Sequence, residues 1–286
     1  MTLTFRRPLH LLCITSMALA LACNAYANLL TTPIPPLHSE AFAIVDPDSG
    51  ILLAERHSDR VMPIASITKL MTALVVLDSK QRLNDVLTVT NADIDHLKKT
   101  GSRLAIGARL SRAEMLHIAL MASENRAASA LARYYPGGTR AFVEAMNAKA
   151  RMLGMWNSRF TDSTGLSPKN VSTARDLAKL VAAASAYPMI RQFSADDQYQ
   201  VQLQKHQLHY RNSNPLVHEQ WPISLSKTGY IREAGRCLVM QTNVNQQPFI
   251  IVLLNADTSS ERLADAKHLK TWLTQKTPHT LTARTK

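Results

Sequence analysis

The longest unbroken apolar run beyond residue 27 is Phe249 to Leu254. Its length and composition suit a strand buried on both faces, and it falls far short of the roughly 20 apolar residues of a membrane-spanning helix. A strand buried on both faces needs neighbours, and the sequence offers them at both ends of the chain. Ala41 to Val45 and Ile51 to Ala54 are short apolar runs joined by Asp46-Pro47-Asp48-Ser49-Gly50. In that joint Pro presets φ and Gly permits the reversal, so the pair reads as a hairpin. Further on, Tyr199-Gln200-Val201-Gln202-Leu203 alternates strictly, and strand-like sequence from Ile223 to Ile231 leads through Glu233-Ala234-Gly235 into another strand at Cys237 to Met240.

The interior of the chain changes period. Leu70, Ala73, Leu74 and Leu77 recur at three- and four-residue intervals, which predicts a helix with one buried face over Ser66 to Leu77. Ser111-Arg112-Ala113-Glu114 is a capping box opening a second helix. Thr139 to Leu153 is stopped by Gly154, and Thr173 to Ala184 ends before Pro188. A last amphipathic helix runs from about Glu261 to Leu273. One antiparallel sheet assembled from both chain ends, flanked by helices and carrying an inserted all-helical lobe at about 90–195, is the expected α/β architecture, with a cleft between lobes. Residues 28–37, crowded with Pro33, Pro35 and Pro36, read as an extended lead-in to a domain at 38–275, and 276–286 as a basic tail.

The first 27 residues read differently. Arg6 and Arg7 precede a largely apolar stretch from Leu9 to Cys23, and Ala25-Tyr26-Ala27 supplies a small-x-small cleavage pattern. This is the layout of a secretory signal peptide and predicts a periplasmic protein. Lipidation at Cys23 is a minor alternative, because Ala20-Leu21-Ala22 lacks the large aliphatic residue expected three positions upstream. Export would leave Cys237 as the one cysteine, so no internal disulfide is expected. The net charge of +12 becomes +10 without Arg6 and Arg7. An anionic wall polymer or a peripheral membrane contact fits that charge. Nucleic acid does not, since no aromatic-studded basic strand or zinc-finger spacing accompanies it.

Three short motifs occur in order: Ser66-Ile67-Thr68-Lys69, Ser123-Glu124-Asn125 and Lys227-Thr228-Gly229. Each alone is weak, and decoys exist at Ser224-Leu225-Ser226-Lys227 and Lys99-Thr100-Gly101. Ser66 and Lys69 lie one helical turn apart on one face and are able to share a hydrogen bond, whereas Ser224 and Lys227 in a strand would point to opposite faces. At a helix N-terminus the Ser66 N–H is unsatisfied and free to meet an oxyanion. For Lys69 to act as a base its pKa must fall, through burial and a nearby cation, for which Lys227 is the candidate. The later Lys-Thr-Gly sits in strand-like sequence, where an edge strand would pair with an extended peptide. The earlier copy reads as a loop. Ser123 suits a proton relay and Asn125 a hydrogen bond to a substrate peptide.

Together the three motifs resemble those of penicillin-binding proteins and serine β-lactamases over about residues 38–275. Ala65 to Met71, Met121 to Ala128, Asp162-Ser163-Thr164-Gly165-Leu166 and Ser226-Lys227-Thr228-Gly229-Tyr230 are similar to the small bacterial D-alanyl-D-alanine peptidases. The Ala234 to Met240 stretch is similar to that of the periplasmic D-alanyl-D-alanine endopeptidases. The resemblance implies a β-lactamase/transpeptidase-like fold and an acyl-enzyme route on peptidoglycan stem peptides, with β-lactam antibiotics as covalent inhibitors. In it Ser66 would be the nucleophile, Lys69 the base and Ser123 the proton relay. Asn125, Lys227, Thr228, Gly229 and Tyr230 would bind substrate, the oxyanion resting on the N–H groups of Ser66 and Tyr230. Neither metal nor cofactor is implied. Carboxypeptidase action shares the pocket and stays open, as does a non-catalytic wall-binding role. A β-lactamase is disfavoured because no Glu-x-x-Leu-Asn segment occurs. Glu124, often Asp or Gly in the wider group, is expected to be harmless.

Other features read plainly. His206 and His209 at strand spacing would face opposite sides, so no metal pair is expected. Cys237 between apolar neighbours reads as a packed core residue, and Asp196-Asp197 as a solvated turn.

Overall fold

The structure, a computed structural model, describes residues 33–203, 207–219 and 221–276. The expected signal peptide with Cys23, residues 28–32 of the lead-in, His206 and the tail beyond Lys276 lie outside the described residues. In chain order the elements are β1 (Ala41–Val45), β2 (Leu52–Arg56), β3 (Met62–Pro63), α1 (Thr68–Asp78), β4 (Val86–Thr88), β5 (Arg109–Ser111), α2 (Arg112–Met121), α3 (Asn125–Arg133) and α4 (Gly138–Met152). There follow β6 (Val171–Ser172), α5 (Ala174–Ser185), α6 (Pro188–Ala195), β7 (Gln198–Gln202), β8 (Gln207–Arg211), β9 (Ile223–Ile231), β10 (Gly235–Val244), β11 (Gln247–Ala256) and α7 (Ser259–Lys276).

Both chain ends build one five-stranded antiparallel sheet in the order β2-β1-β11-β10-β9. The run Phe249 to Leu254 lies in β11, the middle strand. Ile250, Val252 and Leu254 enter the core shared with α5 and the other interior helices, while Ile251 and Leu253 pack with Ala266, Leu269 and Trp272 of α7. Burial on both faces is why the run never alternates with polar residues. On the sheet's other flank β9 is an edge strand: among the described residues β10 is its one strand partner, and its other side meets α6, where the Ser226 N–H donates to Ser194 Oγ at 3.3 Å.

The helix after Pro63 differs from its predicted one-sided burial. Thr68 through Val76 of α1 are all buried, because α2, α3 and α4 pack on one side and α5 on another. The capping box at Ser111 and Glu114 forms, with Ser111 Oγ accepting from the Glu114 N–H. Thr173 likewise caps α5, its side chain accepting from the Asp176 N–H. Pro188 does more than end a helix: it starts α6, where its missing N–H costs nothing. Among the described residues no helix is long and apolar enough to cross a membrane.

Candidate active site

Ser66 is delivered by a tight turn. Ala65, at φ +46°, opens a 3₁₀ segment, Ala65–Ile67, that runs directly into α1, and Thr68 Oγ1 donates back to the Ala65 carbonyl at 2.8 Å. A non-glycine residue in the left-handed region is costly and persists only when its surroundings hold it. Two glycines allow that hold. A Cβ at Gly165 would lie 2.0 Å from the Ala65 carbonyl oxygen, and one at Gly229 would lie 2.9 Å from the Ile64 carbonyl oxygen. The loop at 162–165 and strand β9 thus both press on the nucleophile turn.

One turn on, Lys69 is fully buried and its three N–H groups are all used. Nζ donates to Ser66 Oγ at 2.9 Å, to Asn125 Oδ1 at 2.8 Å and to the Thr164 carbonyl at 2.7 Å. Burial draws its pKa down to about 7, against the opposing pull of the Asp162 and Glu124 carboxylates. The cation expected to depress it behaves otherwise. Lys227, also buried, is itself pushed well below its ordinary value, by burial first and then by repulsion from Lys69 and Arg262. Repulsion is reciprocal, and the two amines differ in their partners: Lys227 Nζ donates to the Thr228 carbonyl at 2.8 Å, whereas Lys69 is held by three acceptors with two carboxylates nearby.

The second motif forms the facing wall. Ser123, at φ +62°, lies in the break between α2 and α3, and Asn125 begins α3. Asn125 Nδ2 donates to Thr100 Oγ1 at 3.0 Å, so the discarded Lys99-Thr100-Gly101 copy, a loop as expected, nevertheless reaches the site. Asp95 shapes that loop by accepting from the backbone N–H groups of Leu97, Lys98 and Thr100. Glu124 is more than harmless: Oε1 accepts from Ser102 Oγ at 2.6 Å and caps α3 through the Arg126 N–H at 3.2 Å.

The third motif lies on β9. Lys227 and Thr228 are buried, and Thr228 Oγ1 donates to Ser213 Oγ at 2.7 Å. Tyr230 is 51% exposed, and its ring carries the Arg236 guanidinium at 3.6 Å. Its side chain thus turns away from the Ser66 contact. Ser224 of the decoy donates to the Gln241 carbonyl and has no part in the site. Sequence reasoning missed Arg262, a buried guanidinium beside Lys227 with Nη1 3.4 Å from the Cys237 carbonyl. It also left the Thr164 carbonyl without a role, although Asp162-Ser163-Thr164-Gly165 is legible as a side-chain-capped turn: Asp162 Oδ1 accepts from the N–H groups of Thr164 and Gly165.

The remaining features settle simply. Burial pushes the Cys237 thiol up to about 11, consistent with a packed residue. Asp196 and Asp197 are not a plain solvated turn, since Asp196 meets His117 Nε2 at 2.9 Å and Asp197 contacts His218. A serine beside a buried amine with a lowered pKa, next to an edge strand, is equipped for acyl transfer to and from an extended peptide.

The comparisons agree with that chemistry. A family profile described as D-alanyl-D-alanine carboxypeptidase matches residues 29–258. A D-alanyl-D-alanine endopeptidase of Pseudomonas aeruginosa is 47% identical over 83% of this chain and 77% of its own. A D-alanyl-D-alanine endopeptidase of Escherichia coli is 46% identical over 85% of this chain and 79% of its own. In three dimensions the chain is similar to the Streptomyces K15 DD-transpeptidase, with a TM-score of 0.79 and 26% identity over 85% of this chain and 99% of that one.

Proposed function

This chain belongs to the family of D-alanyl-D-alanine carboxypeptidases, and on that premise we propose that it is a serine D,D-endopeptidase cutting D-alanyl cross-links in peptidoglycan through an acyl-enzyme. The observation that carries the mechanism is the buried Lys69 amine, 2.9 Å from Ser66 Oγ, with its pKa drawn down to about 7. The three donated hydrogen bonds describe its ammonium form; at neutral pH a large fraction is unprotonated, and in that form the lone pair of Nζ faces Ser66 Oγ and accepts from its hydroxyl, whereas an ordinary lysine would be almost wholly ammonium.

Lys69 takes the Ser66 proton as Oγ attacks the D-alanyl carbonyl, and the oxyanion rests on the N–H groups of Ser66 and Tyr230. Ser123 passes a proton to the leaving amine as the C–N bond breaks. Asn125 orients the substrate along edge strand β9, while Lys227 and Thr228 hold the carboxylate beside the scissile bond. Water then hydrolyses the ester and frees Ser66. Penicillin acylates the same serine and acts as a covalent inhibitor.

The Pseudomonas aeruginosa and Escherichia coli relatives named endopeptidase support cross-link cleavage over removal of terminal D-alanine. Residues 1–27 would export the chain to the periplasm, with lipidation at Cys23 the minor alternative. Met152 and Trp156, 79% and 74% exposed beside the basic Arg151, suit a peripheral contact with an anionic membrane.

Ser66→Ala tests the reading: labelling by a fluorescent penicillin and cleavage of isolated sacculi both disappear. Mass analysis of the wild-type digest separates the activities. Loss of cross-linked dimers marks an endopeptidase, loss of terminal D-alanine alone a carboxypeptidase, and binding without products a wall-binding protein.

A further inference from the structure

A cavity of about 740 Å³ is lined by Ser123, Glu124 and Asn125 of the second motif together with residues to which no motif gives a role. Three basic residues are among its lining, Arg103 from the loop ahead of β5 and His209 and Arg211 of β8. In the β7–β8 hairpin His209 stands opposite Gln200 and Arg211 opposite Gln198, so a uniformly polar, exposed face surrounds the two. Arg103 is fixed in place: its guanidinium donates to the His209 carbonyl and lies 5.0 Å from the centre of the Tyr210 ring. Arg211 is exposed, and among the described residues no carboxylate pairs with it. The one carboxylate in the lining, Glu124, is buried and already accepts from Ser102 Oγ and the Arg126 N–H.

The position of this bay relative to the reaction follows from the chain. Two residues beyond Arg211, Ser213 accepts from Thr228 Oγ1 at 2.7 Å, and its N–H donates to the Met121 carbonyl at 2.9 Å. Arg211 of the bay thus stands two residues from the serine that Thr228 contacts, and the bay's lining includes Ser123, the group assigned to the leaving amine. A peptide attached to that amine runs into it.

Resting on the endopeptidase reading, we infer that Arg103, His209 and Arg211 form a subsite for a second carboxylate, carried by the leaving strand of a cross-linked stem peptide. Free D-alanine has a single carboxylate, which Lys227 and Thr228 engage, and it brings nothing to the bay. A cross-linked leaving strand brings its own peptide and terminal carboxylate. The bay thus favours cross-links over D-alanyl-D-alanine ends by charge and reach, without altering the acylation machinery.

The test measures three rates for the wild type, Arg211→Glu and Arg211→Lys: cleavage of a purified cross-linked muropeptide dimer, removal of D-alanine from a stem pentapeptide, and acylation by fluorescent penicillin. Reversing one charge at the subsite lowers kcat/KM for the dimer roughly tenfold or more. Arg211→Lys keeps most of that rate, and pentapeptide trimming and acylation change less than twofold. A dimer amidated only on the terminal carboxylate of the leaving strand is cut slowly by the wild type and is not slowed further by Arg211→Glu. Dimer cleavage by Arg211→Glu at the wild-type rate, or an equal fall in all three rates, overturns the subsite while leaving the endopeptidase reading intact. A wild type that trims pentapeptide but spares every dimer overturns both.

Discussion

At the scale of single residues, the reactivity of the site comes down to where one proton sits. With a folded-state pKa of about 7 against 10.5 for an ordinary lysine, Lys69 loses its proton across neutrality. The penicillin acylation rate should therefore rise with pH along a limb centred near 7, and Lys69→Arg should abolish acylation at every pH, because guanidinium does not give up its proton. A flat profile in rapid-quench labelling would remove Lys69 from the role of base. The same shift affects stability. Between about 7 and 10.5 the unfolded chain binds the Lys69 proton and the folded one does not, so folding stability rises with pH through that window. Replacing Lys69 by Met should flatten this dependence in urea titrations. Glycine matters here through space: with 2.9 Å between a Gly229 Cβ and the Ile64 carbonyl oxygen, Gly229→Ala should displace the Ser66 turn and slow acylation at least tenfold. Measured acylation within twofold of the wild type would contradict that reading.

At the scale of elements, helix ends could be read ahead because caps are local chemistry. Ser111 with Glu114, and Thr173 ahead of α5, name their helices from the residues alone. Thr173→Ala leaves the Asp176 N–H without its acceptor and should cost about 1 kcal/mol in chemical denaturation, with penicillin acylation retained. The sides of α1 were not legible. Leu70, Ala73, Leu74 and Leu77 mark one face, but Thr72 and Lys69 are buried on others because their polar atoms meet Ser163 and Thr164 carbonyls contributed from far along the chain. Side-chain polarity predicts exposure until a distant backbone supplies the partner.

At the scale of the whole molecule, the sheet is closed by contacts between the ends of the domain. Buried Asp265 in α7 accepts from the His38 N–H at 2.9 Å, the Ser39 N–H at 2.7 Å and Ser39 Oγ at 2.6 Å, fixing the entry into β1. Asp265→Ala strands these donors and should lower stability by roughly 3 kcal/mol, while the protein that remains folded is acylated at the normal rate. Thermal unfolding followed by circular dichroism, paired with labelling at 25 °C, checks both parts. Lys98 and Glu233, 2.5 Å apart, join the loop ahead of β5 to the β9–β10 turn. That bridge links the loop holding Asn125 to the strand carrying Lys227.

The sequence by itself determined what chemistry was available and roughly where it lay. Spacing put Ser66 and Lys69 on one helical face, the two-sided apolar run placed β11 at the centre of a sheet, and strand-like context separated one Lys-Thr-Gly from the other. These are consequences of period and local sterics, which a short window of residues contains. Only the tertiary structure decided how Lys69 is tuned, that Thr100, Thr164, Glu124 and Arg262 join the site, and that Arg103 and Arg211 line one cavity with Ser123. Desolvation and charge repulsion depend on distances between residues tens to hundreds of positions apart, and no local pattern encodes those distances before the chain has folded.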